Sequence, residues 1–138
     1  MASETIIVEA TIEAPIEKVW ETWTKPEHIM HWNNASDDWF TPKAENDLRP
    51  GGKFSSRMEA RDGSFGFDFE GIYDEVTDHK LISYSLEDGR KVKIEFEEKG
   101  DQTLVTENFD AETENPVEMQ KAGWQSILNN FKKYTEGL

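Results

Sequence analysis

The sequence contains no cysteine, and this absence excludes several kinds of chemistry. Without thiols the chain forms no disulfide, carries no thiolate nucleophile and offers no cysteine ligand to a metal. It also has no apolar run approaching the ~18 residues that a membrane-spanning helix requires. Residues Met1 to Thr5 show no basic segment followed by an apolar one, as a secretory signal would. We therefore expect a cytoplasmic location and no membrane role.

Basic residues are scarce. The chain has 15 Lys and Arg against 29 Asp and Glu, which gives a formal net charge of -14 at pH 7. Such a charge repels the phosphate backbone, so nucleic-acid binding is not expected. The acidic surface favours solubility, and it could also attract a cationic ligand or a basic patch on a partner protein. With 138 residues, the chain is expected to form one domain over residues 1–138.

Most of the chain shows the two-residue alternation of apolar and polar side chains that is typical of β-strands. Short turns containing glycine separate many of these segments, and such turns favour antiparallel pairing of consecutive strands. A polar stretch over residues 33–50 is predicted to be a loop with one short edge strand. The alternating segments are Ile6 to Ile12, Phe54 to Ala60, Phe65 to Phe69, Ile82 to Leu86, Val92 to Phe96 and Thr103 to Asp110.

Three segments show helical periodicity instead. Pro15 precedes a short apolar stripe up to Thr24, and a Thr24-Lys25-Pro26 start signal, with Thr24 as the N-cap, predicts a second short helix up to Trp32. The only long amphipathic segment begins at Asn115-Pro116 and continues to Leu138. Its apolar residues recur at helical spacing: Val117, Trp124, Phe131 and Leu138, with Ile127, Leu128 and Tyr134 between them.

This order of elements predicts an α+β fold. A curved antiparallel sheet of about seven strands has two short helices after its first strand and one long C-terminal helix packed across it. A long helix laid over a curved sheet often leaves a cavity between them, and we expect function to be located there.

Several short motifs, taken in order, resemble those of the activator-of-heat-shock-protein-90-ATPase homologue family. That family belongs to the START-like (SRPBCC), birch-pollen-allergen-like superfamily with the helix-grip fold, and the resemblance covers essentially the whole chain. The motifs are Ala14 to Trp20, His31-Trp32, Leu48 to Phe54, Gly71-Ile72-Tyr73 at a strand end, and Gly123-Trp124.

The resemblance implies a seven-stranded sheet that grips the C-terminal helix around an internal cavity. Relatives in the superfamily bind lipids, sterols, flavonoids, hormones or polyketide intermediates, some catalyse cyclisation or hydration, and the namesake branch stimulates a chaperone ATPase in the stress response. Many relatives carry two adjacent aromatic residues where this chain has Trp32 followed by Asn33-Asn34. A more polar cavity entrance is therefore expected here.

The predicted ligand-binding residues are the apolar side chains that the sheet and the long helix turn toward each other. The same side chains could instead fill the space as a closed core. Gly123, in the middle of the helix, indicates close packing against the neighbours of Trp124, because glycine lowers helix stability by about 1 kcal/mol relative to alanine. The candidates are Trp32, Met58, Phe67, Phe69, Tyr84, Phe96, Trp124, Leu128 and Phe131.

Few polar groups are candidates for orienting a ligand: Ser56, the Tyr84 hydroxyl, Gln120 and the indole nitrogens of Trp32 and Trp124. Glu107 has two possible positions. If Leu104 and Thr106 face inward, Glu107 lies outside; if Val105 and Phe109 face inward, it enters the cavity and desolvation raises its pKa.

No metal, cofactor or catalytic residue is predicted. His28 and His31 could form half of a metal site with Glu27 nearby, but no third ligand occurs at diagnostic spacing, and a surface or capping role is the simpler interpretation.

Three functions remain open at this point. They are binding of a small hydrophobic molecule, neutral or cationic and lipid-like or aromatic, a chaperone-activator-like module that contacts a basic protein patch, and a cyclase or hydratase.

Overall fold

The computed structural model describes residues 5–34 and 37–138. Residues 1–4 of the N-terminal segment and residues 35 and 36 of the predicted 33–50 loop lie outside the described residues. Within the described ranges the chain forms seven strands and three helices. In chain order they are β1 (Thr5–Ile12), α1 (Ile16–Thr24), α2 (Pro26–Trp32), β2 (Trp39–Asn46), β3 (Lys53–Ala60), β4 (Gly66–Thr77), β5 (Leu81–Leu86), β6 (Lys91–Lys99), β7 (Gln102–Asp110) and α3 (Val117–Glu136).

The strands form a single antiparallel sheet in the order β1-β7-β6-β5-β4-β3-β2. Each consecutive pair from β2 to β7 is joined by a short connection, so these six strands are a meander. β1 pairs with β7 rather than with β2, and α1 and α2 carry the chain from one edge of the sheet to the other. The predicted α+β fold, with two short helices after the first strand and a long C-terminal helix, is confirmed.

The boundaries of several elements differ from the prediction. The edge strand β2 has eight residues, and its pairing with β3 is irregular between Phe40 and Lys43, where Pro42 offers no amide hydrogen to the ladder. β4 does not end near Tyr73 but continues to Thr77. Thr24 does not cap α2, because its hydroxyl donates a hydrogen bond to the Trp20 carbonyl at 2.8 Å.

The core follows the alternation of the strands. On β7, Thr103, Val105, Glu107 and Phe109 face inward, while the residues between them are partly exposed. α3 buries Leu128 and Phe131 completely and ends at Glu136. Leu138 was predicted to continue the apolar stripe of α3. It is 53% exposed, because α3 ends at Glu136 and the helical spacing no longer applies to it.

The width of the sheet explains why a space remains inside the fold. Seven strands spaced about 4.8 Å apart span roughly 29 Å, whereas a helix with its side chains is only about 10–12 Å across. α3 makes its main sheet contact with the edge strand β1 and also packs on α1 and α2. The opposite half of the sheet, from β3 to β5, is therefore not covered by this helix alone.

Among the described helices, none is both long and apolar enough to cross a bilayer.

Candidate functional site

A cavity of about 360 Å³ lies between α3 and the inner face of β3, β4 and β5. Its volume falls within the range of roughly 300–1,000 Å³ that is typical of small-molecule sites. Six of the predicted candidates line it: Trp32, Met58, Phe67, Phe69, Tyr84 and Trp124. The structure therefore brings together candidates from α2, the sheet and α3.

The other three candidates do not line the cavity. Phe96, Leu128 and Phe131 are at most 5% exposed and belong to the closed core. Phe96 and Phe131 meet the ring of Trp23 edge-to-face at centroid distances of 5.7 and 4.8 Å. Trp23 itself lines the cavity.

Six apolar or aromatic residues of the cavity wall were not among the predicted site residues: Trp23, Ile29, Phe54, Tyr73, Ile82 and Ile127. Phe54 could have been predicted to line the cavity, because it shares the inner face of β3 with Ser56 and Met58. Ile127 could have been predicted as well, because it lies on the apolar stripe of α3. Which of the stripe residues faces the cavity depends on where the helix crosses the sheet.

Phe54 is central to the aromatic wall. Its ring lies 4.6 Å from the Tyr84 ring and 5.3 Å from the Tyr73 ring, measured between centroids. It occupies the place of the missing side chain of Gly71, since a Cβ atom added there would lie 2.6 Å from the Phe54 ring. Gly71 therefore allows the ring to lie directly against β4.

Gly123 does not serve the packing role that was predicted for it. A Cβ atom at this position would meet no heavy atom within 4 Å, so close approach of a neighbour does not require glycine there. Trp124 adds a contact with β7, because its ring stacks on Phe109 with centroids 3.9 Å apart.

Glu107 faces the cavity from β7. The second of its two predicted positions is therefore the observed one, with Val105 and Phe109 also inward. Its side chain is 5% exposed, and no described residue donates a hydrogen bond to its carboxyl group. Burial raises the pKa of Glu107 to about 8, so the group is mostly protonated at neutral pH.

Tyr84 and Arg90 add polar atoms to the same cavity. The Tyr84 hydroxyl has no hydrogen-bond partner among the described residues. Burial, reinforced by the Glu107 charge, raises the pKa of Tyr84. Arg90, in the β5–β6 turn, donates from Nε to the Asp88 carboxylate at 2.6 Å. Its positive charge lowers the pKa of Tyr84 and so partly offsets the effect of burial.

The remaining predicted polar groups have other roles. The Trp32 indole N–H donates to the Thr22 carbonyl at 2.9 Å, and it is therefore not available to a ligand. Gln120 holds the loop before α3, because its side chain bonds to the backbone of Glu112 and Asn115. Ser56 lines the cavity and is 5% exposed.

Asn33 and Asn34, where a more polar cavity entrance was expected, follow the last residue of α2. Asn33 lines the cavity, and the Asn130 side chain of α3 donates hydrogen bonds to the Trp32 carbonyl at 2.8 Å and to the Asn34 side chain at 3.0 Å. These bonds tie α3 to the C-terminal end of α2 and to the segment that follows it.

The two histidines of α2 lie against α3 rather than around a metal position. His28 Nδ1 shares a hydrogen bond of 2.8 Å with the Tyr134 hydroxyl, and the His31 ring stacks on the Tyr134 ring at 5.5 Å. Within residues 5–34 and 37–138, no group of three or more His, Asp or Glu side chains is placed to hold a metal ion.

The chain is similar to known proteins along nearly its whole length. Residues 13–136 match the family model of Activator of Hsp90 ATPase homolog 1-like protein. The solution structure of an AHSA1-like protein from Aeromonas hydrophila is 46% identical, with a TM-score of 0.91 over 97% of this chain and 93% of that one. A protein from Cytophaga hutchinsonii is 53% identical, with a TM-score of 0.84 over 96% of this chain and 92% of that one.

More distant structures share the fold alone. A protein from Nitrosomonas europaea is 21% identical, with a TM-score of 0.82 over 96% of this chain and 94% of that one. No curated protein matches the chain significantly.

Proposed function

The chain belongs to the family of Activator of Hsp90 ATPase homolog 1-like proteins, and from that premise we propose that it binds a small, mostly apolar molecule in the cavity between α3 and the sheet. The observation that carries this proposal is the cavity itself, with a volume of about 360 Å³ beside side chains that are packed closely elsewhere in the core. A protein interior normally leaves few voids larger than a water molecule.

The composition of the wall supports a ligand rather than water. Aromatic and aliphatic side chains form most of it, and a few polar groups, Glu107, Tyr84 and Ser56 among them, face into the same space. Sites for small molecules commonly combine an apolar wall with a small number of polar groups that fix orientation. An apolar ligand of suitable size would gain contact with several rings at once.

A substitution that fills the cavity tests this proposal. Ser56→Phe adds a ring inside the cavity, whereas Ser55→Phe adds the same ring to the neighbouring residue on the outer face of β3, because successive side chains of a strand alternate. We expect an aromatic probe such as naphthyl methyl ketone to raise the melting temperature of the wild type and of Ser55→Phe. Ser56→Phe should show little or no increase.

The size of the effect follows from linkage. A ligand present at about 100 times its Kd stabilises the folded state by about 2.7 kcal/mol. Both variants are first compared without ligand, to establish that each unfolds cooperatively. Equal ligand-induced shifts in Ser56→Phe and Ser55→Phe would show that the probe binds elsewhere and would refute the proposed site.

A further inference from the structure

Glu107 is a buried polar side chain with no hydrogen-bond partner among the described residues. Its two neighbours across the sheet are Val8 on β1 and Ile94 on β6, and its inward neighbours along β7 are Val105 and Phe109. These four residues are at most 2% exposed. A buried carboxyl group without a hydrogen bond lowers stability, so the position is unfavourable unless something else bonds to it.

The cavity wall carries several groups that can donate hydrogen bonds. Burial raises the pKa of Glu107 to about 8, so its carboxyl group donates through O–H at neutral pH. The Tyr84 hydroxyl is a second donor, without a partner among the described residues. The Arg90 guanidinium is a third donor, although its Nε already donates to Asp88. A ligand that accepts hydrogen bonds therefore matches this set better than one that only donates them.

The charged groups around Glu107 also disfavour a cationic ligand. Arg90 already brings a positive charge to the cavity wall. An ammonium group would require Glu107 to ionise in an apolar environment. Glu45 also borders the cavity, but its side chain is 65% exposed and its carboxylate pairs with Lys43 at 3.1 Å. From β4, Tyr73 faces the same space and donates its hydroxyl hydrogen to Asn46. The residues that α3 contributes, Trp124 and Ile127, do not titrate.

We propose that the cavity selects uncharged, largely apolar ligands that carry a carbonyl oxygen, and that the carboxyl group of Glu107 donates a hydrogen bond to that oxygen. This inference rests on the proposed ligand-binding function and adds the chemical class of the ligand. The ring faces of Phe54, Phe69 and Trp124 contact the apolar part of the molecule, and Glu107 fixes the position of its polar end.

Three probes of the same shape test the inference. Naphthyl methyl ketone carries the carbonyl oxygen, isopropylnaphthalene replaces it with a methyl group, and naphthylethylamine replaces it with an ammonium group. Calorimetric titrations of the wild-type protein from about pH 6 to about pH 9 should give the tightest binding for the ketone. Its affinity should be constant at low pH and fall above about pH 8, by up to about tenfold per pH unit, since the ionised carboxylate no longer donates.

Two variants separate hydrogen bonding from shape. Glu107→Gln keeps a donor and cannot ionise, so it should bind the ketone with no pH dependence over this range. Glu107→Leu removes the donor and should bind the ketone about tenfold more weakly, close to its affinity for isopropylnaphthalene. Thermal unfolding of each variant establishes that it is folded before titration.

The possible outcomes distinguish this inference from the function on which it rests. If isopropylnaphthalene binds as tightly as the ketone at every pH, or if the amine binds best and more tightly as pH rises, the carbonyl inference is overturned while the cavity remains a binding site. If none of the three probes binds, the proposed function and the inference fail together.

Discussion

Glu107 illustrates how a single residue can affect both ligand binding and stability. In the unfolded chain its carboxyl group titrates near 4.5, and in the folded protein burial raises its pKa to about 8. Between these values the unfolded state binds fewer protons than the folded state. The free energy of unfolding therefore receives a contribution from Glu107 that is complete below about pH 4.5 and declines as the pH rises to about 8.

The variant Glu107→Gln should lack this decline, because an amide does not ionise. We expect the stability of the wild type to fall relative to that of the variant by at most about 1.4 kcal/mol per pH unit within this window. Urea denaturation of both proteins at several pH values from about 5 to about 9 measures the difference between their free energies of unfolding. The titration of other groups cancels in this difference, because both proteins contain those groups. Parallel curves for the two proteins would mean that Glu107 titrates normally and is solvated.

At the scale of secondary-structure elements, β4 and α3 each contain a glycine whose surroundings differ. Gly71 on β4 lies under the Phe54 ring, and Gly123 on α3 faces open space. Both glycines occur in the motifs that resemble the family, so the sequence gives no reason to treat them differently. Their roles become distinct only when the register of β3 with β4 places Phe54 opposite Gly71.

The matched substitutions Gly71→Ala and Gly123→Ala should have effects of opposite sign. A methyl group at Gly71 would lie 2.6 Å from the Phe54 ring and 3.0 Å from the Ser85 carbonyl oxygen, and we expect a loss of about 1–3 kcal/mol. Alanine at position 123 meets no atom and should raise stability by up to about 1 kcal/mol. Chemical denaturation of both variants measures these changes, and a Gly71→Ala protein as stable as Gly123→Ala would contradict the packing described for Phe54.

The elements themselves could be predicted because each depends on local periodicity. The alternation from Ile6 to Ile12 and the helical spacing from Val117 to Phe131 are properties of neighbouring residues. Phe65 shows the limit of this reasoning. The two-residue alternation places it on the same face as Phe67 and Phe69, but it precedes β4 and is 60% exposed.

The cavity wall was less predictable because it depends on contacts between distant elements. Leu128 and Ile127 are adjacent in sequence, yet the first is in the closed core and the second lines the cavity. Arg90 lies in a turn, where a charged residue is usually solvated. Glu107 could not be placed, because both faces of its strand carry apolar residues. The position of α3 on the sheet determines which of Ile127 and Leu128 faces the cavity, and the pairing of β7 with β1 and β6 accompanies the inward position of Glu107.

At the scale of the whole molecule, the cavity results from the mismatch between one helix and a seven-stranded sheet. α3 packs at the β1 side, α1 and α2 fill one end, and the space under β3 to β5 remains. The formal charge of -14 does not by itself indicate a docking surface for a basic partner. Several basic side chains pair with acidic neighbours at the surface, as in Lys25–Glu21 and Arg49–Asp47.

The most direct test of the central claim is a titration of the methyl-labelled protein with naphthyl methyl ketone, followed by NMR. Ile127 and Met58 line the cavity, whereas Ile7 and Ile72 are 52% and 46% exposed and provide internal controls. We expect saturable shifts of the Ile127 and Met58 methyl signals, with the signals of Ile7 and Ile72 unchanged. Shifts confined to Ile7 and Ile72, or no shift of the cavity methyls at saturating ketone, would contradict the claim that this space is a ligand-binding site.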